Sequence, residues 1–222
     1  MNGQVLMEKS GWKIIKYVVG PLRTNTYLLL GGGGEAVLVD PAPGASGAVS
    51  RSVGMYGVRL KLVLVTHGHF DHILDARSLR ELTGARTLMH RGDLTILDTS
   101  RAVASYFGLE WREPVIDTLL NGGEEIPLQD LRIKVLHTPG HTPGSACYYV
   151  QELAVLFTGD TLFRGTVGRT DFPGGSSEDL AKSLKKLLEL PEDTLILPGH
   201  GPETTLGSEA RSNPYLIKLL GR

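Results

Sequence analysis

Three imidazoles and a carboxylate occur together in one short segment, His67-Gly68-His69-Phe70-Asp71-His72. In an extended chain, residues two apart point to the same side, so His67 and His69 can hold one cation together. Asp71 and His72 follow where the next helix opens, so they can face a second cation, with the carboxylate at the favourable end of the helix dipole. Imidazole and carboxylate ligands suit zinc, iron or manganese.

Further candidate ligands follow other apolar runs, at the points where Gly- or Pro-rich turns begin. His137 and His141 come after residues 131–136, Asp160 comes after the strand-like segment ending at Gly159, and His200 follows Pro198-Gly199. Binding residues are usually built on loops that a rigid scaffold positions, and strand ends at one edge of a sheet can converge. The sequence therefore predicts one site assembled from distant segments.

The elements that must position these residues alternate between β-rich runs and amphipathic segments. Helices are predicted over about residues 45–56, from 73 to 82, and around Leu180–Leu188. Residues 91–113 are mixed and predicted to be helical, without an assigned chemistry. No linker or repeat interrupts the chain, so we expect one α+β domain spanning residues 1–222. The predicted strands are residues 12–19, 26–30, 36–39, 62–65, 86–89, a strand within 126–137, 146–150, 154–158 and 194–197.

Composition narrows the class of protein. With 23 Lys and Arg against 24 Asp and Glu, the formal charge is −1, so a nucleic acid gains no overall electrostatic attraction. No apolar run is long enough to span a bilayer, and the first residues lack the apolar stretch of a secretory signal. The single Cys147 excludes an internal disulfide framework. We expect a cytoplasmic protein that acts on a small molecule, without a nucleic-acid or membrane partner and with an oligomeric state that the sequence leaves open.

The motifs resemble those of the metallo-β-lactamase superfamily. The H-x-H-x-D-H signature stands at residues 67–72, followed by Pro139-Gly140-His141-Thr142, Thr158-Gly159-Asp160-Thr161 and Pro198-Gly199-His200-Gly201. The resemblance covers nearly the whole chain, from Asn25-Thr26-Tyr27 onwards. It implies a four-layer αββα sandwich with two divalent metal ions at one edge of the two sheets. The ligands that it implies are His67, His69 and His141 for the first ion, Asp71, His72 and His200 for the second, and Asp160 as a bridge.

A charge count favours a catalytic site over one that only stabilises the fold. Two carboxylates against two divalent cations leave a surplus of two positive charges, which hydroxide or substrate must balance. Structural zinc sites are usually Cys-rich and four-coordinate, whereas seven nitrogen and oxygen ligands shared by two ions leave positions open. Zinc is the expected metal, with iron or manganese as alternatives.

Four other polar residues have more than one interpretation. We expect His137 to be a hydrogen-bonded residue at a strand end that supports the site without ligating, and His90 to be a surface or half-buried residue. Asp40 is equally compatible with bracing a metal ligand and with capping its Pro-rich turn. Cys147 is expected in the core, since it does not stand at a ligand position.

The segment from Gly159 to Phe172 resembles the substrate loop of glyoxalase II-like hydrolases and of the related persulfide dioxygenases. By this resemblance Arg169 is the candidate to bind a carboxylate of the thiol, although an ion pair with Asp171 that only holds the loop is equally expected. Only 22 residues follow His200, so the resemblance is to such an enzyme without its C-terminal helical domain.

The expected reaction is hydrolysis of a thioester, such as an S-acylglutathione, by a metal-bridging hydroxide that Asp71 orients. The main alternative is a persulfide dioxygenase with one iron on His67, His141 and Asp160. Another esterase or lactonase of this fold is a further alternative. A nuclease is disfavoured by the charge of −1, and a metal-binding module without activity is disfavoured by the open coordination positions.

Overall fold

Two β-sheets pack face to face between two layers of helices in the computed structural model, which describes residues 3–221. This arrangement confirms the predicted α+β fold with four αββα layers. Among the described residues, no helix is both long and apolar enough to cross a membrane.

The first sheet follows the order of the chain. Strands β1 to β4 pair antiparallel, and the pairs from β4 to β7 are parallel. The connection between β4 and β5 crosses over through a helix, as parallel pairing requires. The strands are β1 Gln4–Lys9, β2 Trp12–Val19, β3 Thr24–Gly31, β4 Glu35–Val39, β5 Arg59–Val65, β6 Arg86–His90 and β7 Thr118–Leu120.

The second sheet has the order β15-β14-β11-β10-β9-β8, in which only β11 and β14 pair in parallel. A separate two-stranded hairpin of β12 and β13 follows β11. The strands are β8 Glu125–Leu128, β9 Leu131–His137, β10 Ala146–Val150, β11 Val155–Gly159, β12 Leu162–Phe163, β13 Thr166–Val167, β14 Leu195–Pro198 and β15 Thr204–Thr205.

Helices cover the outer faces of both sheets. Within residues 3–221 they are α1 Ala45–Tyr56, α2 Phe70–Ile73, α3 Ala76–Thr83, α4 Leu97–Tyr106, α5 Ser177–Leu187, α6 Leu206–Ser212 and α7 Pro214–Leu219, with 3₁₀ turns at Arg91–Ile96 and Gln151–Leu153. Helix α1 has the predicted bounds. The predicted helix over 73–82 is instead the end of α2 followed by α3, and the predicted helical region 91–113 contains only a 3₁₀ turn and α4.

Alternation of apolar residues along the strands explains the layers. The inner faces share one cluster, with Leu29 and Leu64 from the first sheet against Val135 and Tyr148 from the second. Every one of these side chains is at most 1% exposed. Two further clusters join α1 and α3 to the first sheet, and α5, α6 and α7 to the second.

Helix α5 shows how the sequence sets a helix on its sheet. Ser176 caps it by accepting a hydrogen bond from Asp179 N at 3.1 Å, which satisfies one of the free donors of the first turn. Leu180, Leu184 and Leu187 recur at helical spacing, and all three are buried against the second sheet. The helix thereby fixes the position of the turn between β9 and His141, because Ser183 Oγ donates to Pro139 O.

Candidate metal centre

Strand ends from both sheets meet at one edge of the sandwich. His67 lies just beyond β5 of the first sheet, whereas Asp160 and His200 lie just beyond β11 and β14 of the second. His141 follows β9 after a short turn. The structure thus brings all seven predicted ligands together, and their donor atoms form overlapping groups of three within 4.8 Å of one another.

The first group contains His67, His69 and His141. His69 Nδ1 lies 3.0 Å from His67 Nε2 and 3.0 Å from His141 Nε2. His141 Nδ1 is 2.8 Å from Arg169 O, and a carbonyl oxygen only accepts, so Nδ1 carries the proton and Nε2 presents a lone pair. His67 Nδ1 is 3.1 Å from Thr66 Oγ1, whose own proton goes to a carboxylate. The Nε2 atom of His67 is therefore also free to bind a cation.

The second group contains Asp71, His72 and His200. Asp71 Oδ2 lies 3.3 Å from the Nε2 atoms of both histidines, and it also accepts a hydrogen bond from Thr24 Oγ1 at 2.8 Å. The two imidazole Nε2 atoms are 3.3 Å apart. His200 is the most accessible member, since its side chain is 28% exposed. This group therefore opens towards solvent on the side of His200.

Asp160 lies between the two groups. Its Oδ1 is 3.5 Å from His72 Nε2, and its Oδ2 is 3.6 Å from both His141 Nε2 and His200 Nε2. The Oδ1 atom is buried without a hydrogen-bond partner, which is costly for a carboxylate oxygen. A cation beside each carboxylate oxygen would remove that cost, so the position suits a bridging ligand.

The electrostatics of the two groups differ. Burial, together with repulsion from neighbouring imidazoles, lowers the pKa of His67 well below its usual value and that of His69 to about 4. These rings are therefore neutral near pH 7 and keep lone pairs for a cation. Burial also opposes the charged form of His72, but the carboxylates of Asp71, Asp160 and Asp40 outweigh it and raise the pKa of His72 well above its usual value. A cation beside the carboxylates would take the place of that proton.

Asp40 braces two of the candidate ligands and does more than cap its turn. Its side chain is buried, and Oδ2 accepts hydrogen bonds from His72 Nδ1 and Thr66 Oγ1, each at 2.8 Å. Oδ1 accepts from Thr66 N at 2.7 Å. These bonds fix the tautomers of His72 and, through Thr66, of His67, so that both Nε2 atoms point into the site.

Asp93 is a residue of this site that the sequence analysis missed. It lies in the 3₁₀ turn Arg91–Ile96 and is fully buried. Its carboxylate accepts hydrogen bonds from Gly68 N at 2.7 Å, Thr142 Oγ1 at 2.8 Å and Gly144 N at 2.5 Å. Asp93 therefore ties the loop that carries His67 and His69 to the loop that carries His141. The sequence held no signal for it beyond an acidic residue in a mixed segment.

The loop that carries His200 is held from the first sheet. Asn25 Nδ2 donates to Pro198 O at 2.8 Å, and Tyr27 Oη donates to the same oxygen at 2.7 Å. At Gly199 a Cβ atom would collide with Asp160 Oδ1 and with the His72 ring. Only glycine permits this approach, so the site requires glycine at position 199.

The remaining candidates lie outside both groups of donors. His137 Nε2 donates to Pro143 O at 2.9 Å and so supports the loop after His141. The His90 ring stacks on His137 with a centroid distance of 3.9 Å, and His90 is buried at 5% exposure, deeper than expected. Cys147 is buried in β10 within the outer cluster of the second sheet.

A cleft of about 560 Å³ opens above the donors, which we call the arginine cleft because Arg164 and Arg169 line it. The guanidinium of Arg169 pairs with Asp171 through two hydrogen bonds of 2.7 and 2.6 Å, and it stacks over Phe172 at 4.0 Å. The Arg169 guanidinium in turn holds the pKa of Asp171 at about 2. The ion pair with Asp171 is thus present, and Arg169 also faces the cleft.

Comparisons with known proteins agree with this geometry. A family model of the metallo-beta-lactamase superfamily matches residues 19–200. The hydroxyacylglutathione hydrolase GloC of Haemophilus influenzae is 39% identical over 190 residues, covering 82% of this chain and 87% of that protein. The crystal structure of the BLEG-1 B3 metallo-beta-lactamase has a TM-score of 0.84 and 36% identity, covering 91% of this chain and 99% of that chain. The crystal structure of TTHA1623 in a di-iron-bound form has a TM-score of 0.80 and 40% identity, covering 90% of this chain and 99% of that chain.

The chain therefore belongs to the metallo-beta-lactamase superfamily. Its fold, its cluster of histidine and aspartate donors and these similarities define a metal-dependent hydrolase of that superfamily, which binds divalent metals.

Proposed function

We propose that this protein hydrolyses an acyl thioester whose thiol carries negative charge, as glutathione does. The observation that carries the proposal is the juxtaposition of the seven donors with the arginine cleft. A carbonyl group at the donors would have Arg164 and Arg169 within the same cleft to bind carboxylates of the thiol. The similarity to the Haemophilus hydroxyacylglutathione hydrolase supports the same substrate class.

The donors fit two divalent cations. His69 Nδ1 lies 3.0 Å from both His67 Nε2 and His141 Nε2, and a cation among these three nitrogens would be attracted by their lone pairs. A positive charge would likewise stabilise Asp160 Oδ1, which is buried without a hydrogen-bond partner. We propose His67, His69 and His141 for one cation, Asp71, His72 and His200 for the other, and Asp160 for both. Such cations supply a nucleophile at neutral pH and polarise a carbonyl.

The proposed metal is zinc, since imidazole and carboxylate ligands suit it. Iron is the alternative that deserves a direct test, because the similar protein TTHA1623 has a di-iron-bound form.

The chain's own residues would position the reactants. Thr24 Oγ1 donates to Asp71 Oδ2 and so fixes the carboxylate that would orient the attacking water. In the reaction, the oxygen of water forms a C–O bond to the acyl carbon, the C–S bond breaks with its electron pair going to sulfur, and the protons of the water pass to solvent. A thiol has a pKa of about 8.5, so it leaves readily as thiolate and needs no dedicated acid.

The test is a count of metals in the purified protein, followed by assays on S-lactoylglutathione, a simple aryl ester, a lactone and glutathione persulfide. We expect two divalent metals per chain and release of free thiol from S-lactoylglutathione at the highest kcat/KM of the four. Oxygen uptake with the persulfide on one iron per chain would overturn the proposal in favour of a dioxygenase. A higher kcat/KM on the lactone or on the aryl ester would overturn the thioester as the proposed substrate class in favour of that compound's class.

A further inference from the structure

A second cleft adjoins the donors, and Arg164 does not line it. It has a volume of about 350 Å³, and we call it the apolar cleft. His69 and Asp71 line both clefts, so a group bound in the apolar cleft lies next to the reacting centre. The carbon surface of the cleft comes from the turn before β3, from α2, from α4 and its flanks, and from the loop after Arg169. These residues are Leu22, Phe70, Ile96, Val103, Phe107 and Phe172.

The polar side chains of the apolar cleft are largely occupied. Ser100 Oγ donates to Gly68 O at 2.7 Å, and two nitrogens of the Arg169 guanidinium, which lines both clefts, donate to Asp171. Phe107 stacks on Phe70 with a centroid distance of 5.3 Å. What faces an entering group is therefore mainly hydrocarbon.

Apolar surface is exposed at the mouth of this cleft. Val103 is 37% exposed, Phe107 41%, Phe172 40% and Leu22 42%. Large apolar side chains that gather at one exposed place usually mark a binding site. Their position beside His69 and Asp71 indicates a substrate group as the occupant.

We infer that the apolar cleft binds the acyl group of the substrate and that this group is a hydrocarbon chain larger than lactoyl. The inference rests on the proposed thioesterase activity. With the carbonyl at the donors, the anionic thiol extends towards Arg164 and the acyl chain extends past Val103 and Phe107. An apolar cavity of about 150 Å³ holds one benzene molecule. A cleft of about 350 Å³ has more than twice that volume, so it has room for a chain of at least about eight carbons.

The first measurement is kcat/KM of the metal-loaded enzyme on S-acylglutathiones from acetyl to decanoyl. Each methylene that leaves water favours binding, so we expect kcat/KM to rise about two- to fourfold per added methylene and to level off near octanoyl. If thiol is released from every member at the same kcat/KM, the inference is wrong while the proposed thioesterase stands.

Variants on α4 and at Phe107, the residue that follows it, locate the effect. Val103→Trp fills the cleft and should lower the hexanoyl-to-acetyl ratio of kcat/KM at least tenfold. Phe107→Ala removes one wall and should lower the same ratio about threefold to tenfold. Tyr106→Trp is the matched control, because Tyr106 is on the same helix, is 88% exposed and does not line the cleft. An unchanged ratio in both cleft variants would overturn the inference.

A binding measurement separates this inference from the reaction. Straight-chain carboxylates from acetate to octanoate are titrated into the metal-loaded protein by calorimetry. We expect affinity to rise with chain length in the parent protein and in Tyr106→Trp, but not in Val103→Trp. If affinity rises in this way but no thioester is hydrolysed, the binding of hydrocarbon chains in the apolar cleft is supported and the proposed thioesterase activity is refuted. Affinity independent of chain length would refute the apolar cleft.

Discussion

Replacing Asp93 with asparagine tests whether one buried carboxylate sets the geometry of the first group of donors. Asp93 Oδ2 accepts from Gly68 N and Thr142 Oγ1, and Oδ1 accepts from Gly144 N. Asparagine has one acceptor oxygen and one NH₂ group of nearly the same shape. At least one of the three hydrogen-bond donors then faces the NH₂ group, which is also a donor. The loop that carries His67 and His69 and the loop that carries His141 must therefore move apart at that contact.

The magnitude follows from these three contacts. A hydrogen bond to a charged group contributes about 1.5–3 kcal/mol, and the remaining bonds weaken to roughly half without the charge. Burial raises the pKa of Asp93 against the effect of its hydrogen bonds, so removing the charge offsets part of the loss. We expect the free energy of unfolding to fall by about 2–3 kcal/mol, which lowers Tm by about 4–12 °C for a chain of this size.

The loss of metal affinity should be similar in free energy to the loss of stability. Loss of a residue that orients metal ligands typically costs about 10–100-fold in metal affinity or activity. Metal affinity is measured by competition with a chromogenic chelator, and Tm by calorimetry of the metal-free protein. Asp117→Asn is the control, because Asp117 accepts hydrogen bonds from Thr87 N and Arg80 at a distance from the donors. Metal affinity of Asp93→Asn within twofold of the parent protein would refute the reasoning.

Three further predictions concern individual side chains. Asp40→Ala removes the acceptor of His72 Nδ1 and Thr66, so elemental analysis after dialysis should show fewer than two metals per chain; full retention would contradict the bracing role. Burial raises the pKa of the Cys147 thiol to about 11, so a thiol reagent at pH 8 should label the unfolded chain much faster than the native one. The folded state holds that proton more tightly, hence stability should fall as pH rises from about 9 to 11, and Cys147→Ala should flatten this fall in denaturant titrations. Arg169→Gln should raise KM about tenfold for thioesters of glutathione and leave KM for thioesters of an uncharged thiol nearly unchanged; equal increases for both would assign Arg169 only to holding the loop.

Local patterns made much of the fold predictable. The apolar run Leu62–Val65 and the helix over residues 45–56 are both present, since each has a strong period and clear turn residues around it. Strand β1 was not predicted, because its apolar residues Val5, Leu6 and Met7 are consecutive rather than alternating and none is fully buried. The structure resolves the predicted helix over 73–82 into two because the chain turns at Leu74 and Asp75 before α3 begins.

The site was predictable from the sequence only where candidate ligands belong to a recognisable motif of neighbouring residues. The H-x-H-x-D-H segment and the turns before His141 and His200 show their chemistry in a few neighbouring residues. Asp40 and Asp93 do not, since Asp40 acts on a histidine 32 residues away and Asp93 on an amide 25 residues away. Such contacts depend on how loops meet in space, and the periodicity of apolar residues within one segment does not predict them. The same holds for the apolar cleft, whose walls come from four separate segments.

The distribution of the donors along the chain has a consequence for biosynthesis. His72 and His200 touch in the folded protein but are 128 residues apart in sequence. At a translation rate of about 5–20 residues per second, the ribosome delivers the last donor about 6–26 s after the first four. At the start of that interval the nascent chain presents three imidazoles and one carboxylate, and His141 and Asp160 follow before His200. Correct metallation therefore has to wait until the second sheet has been synthesised and has closed on the first.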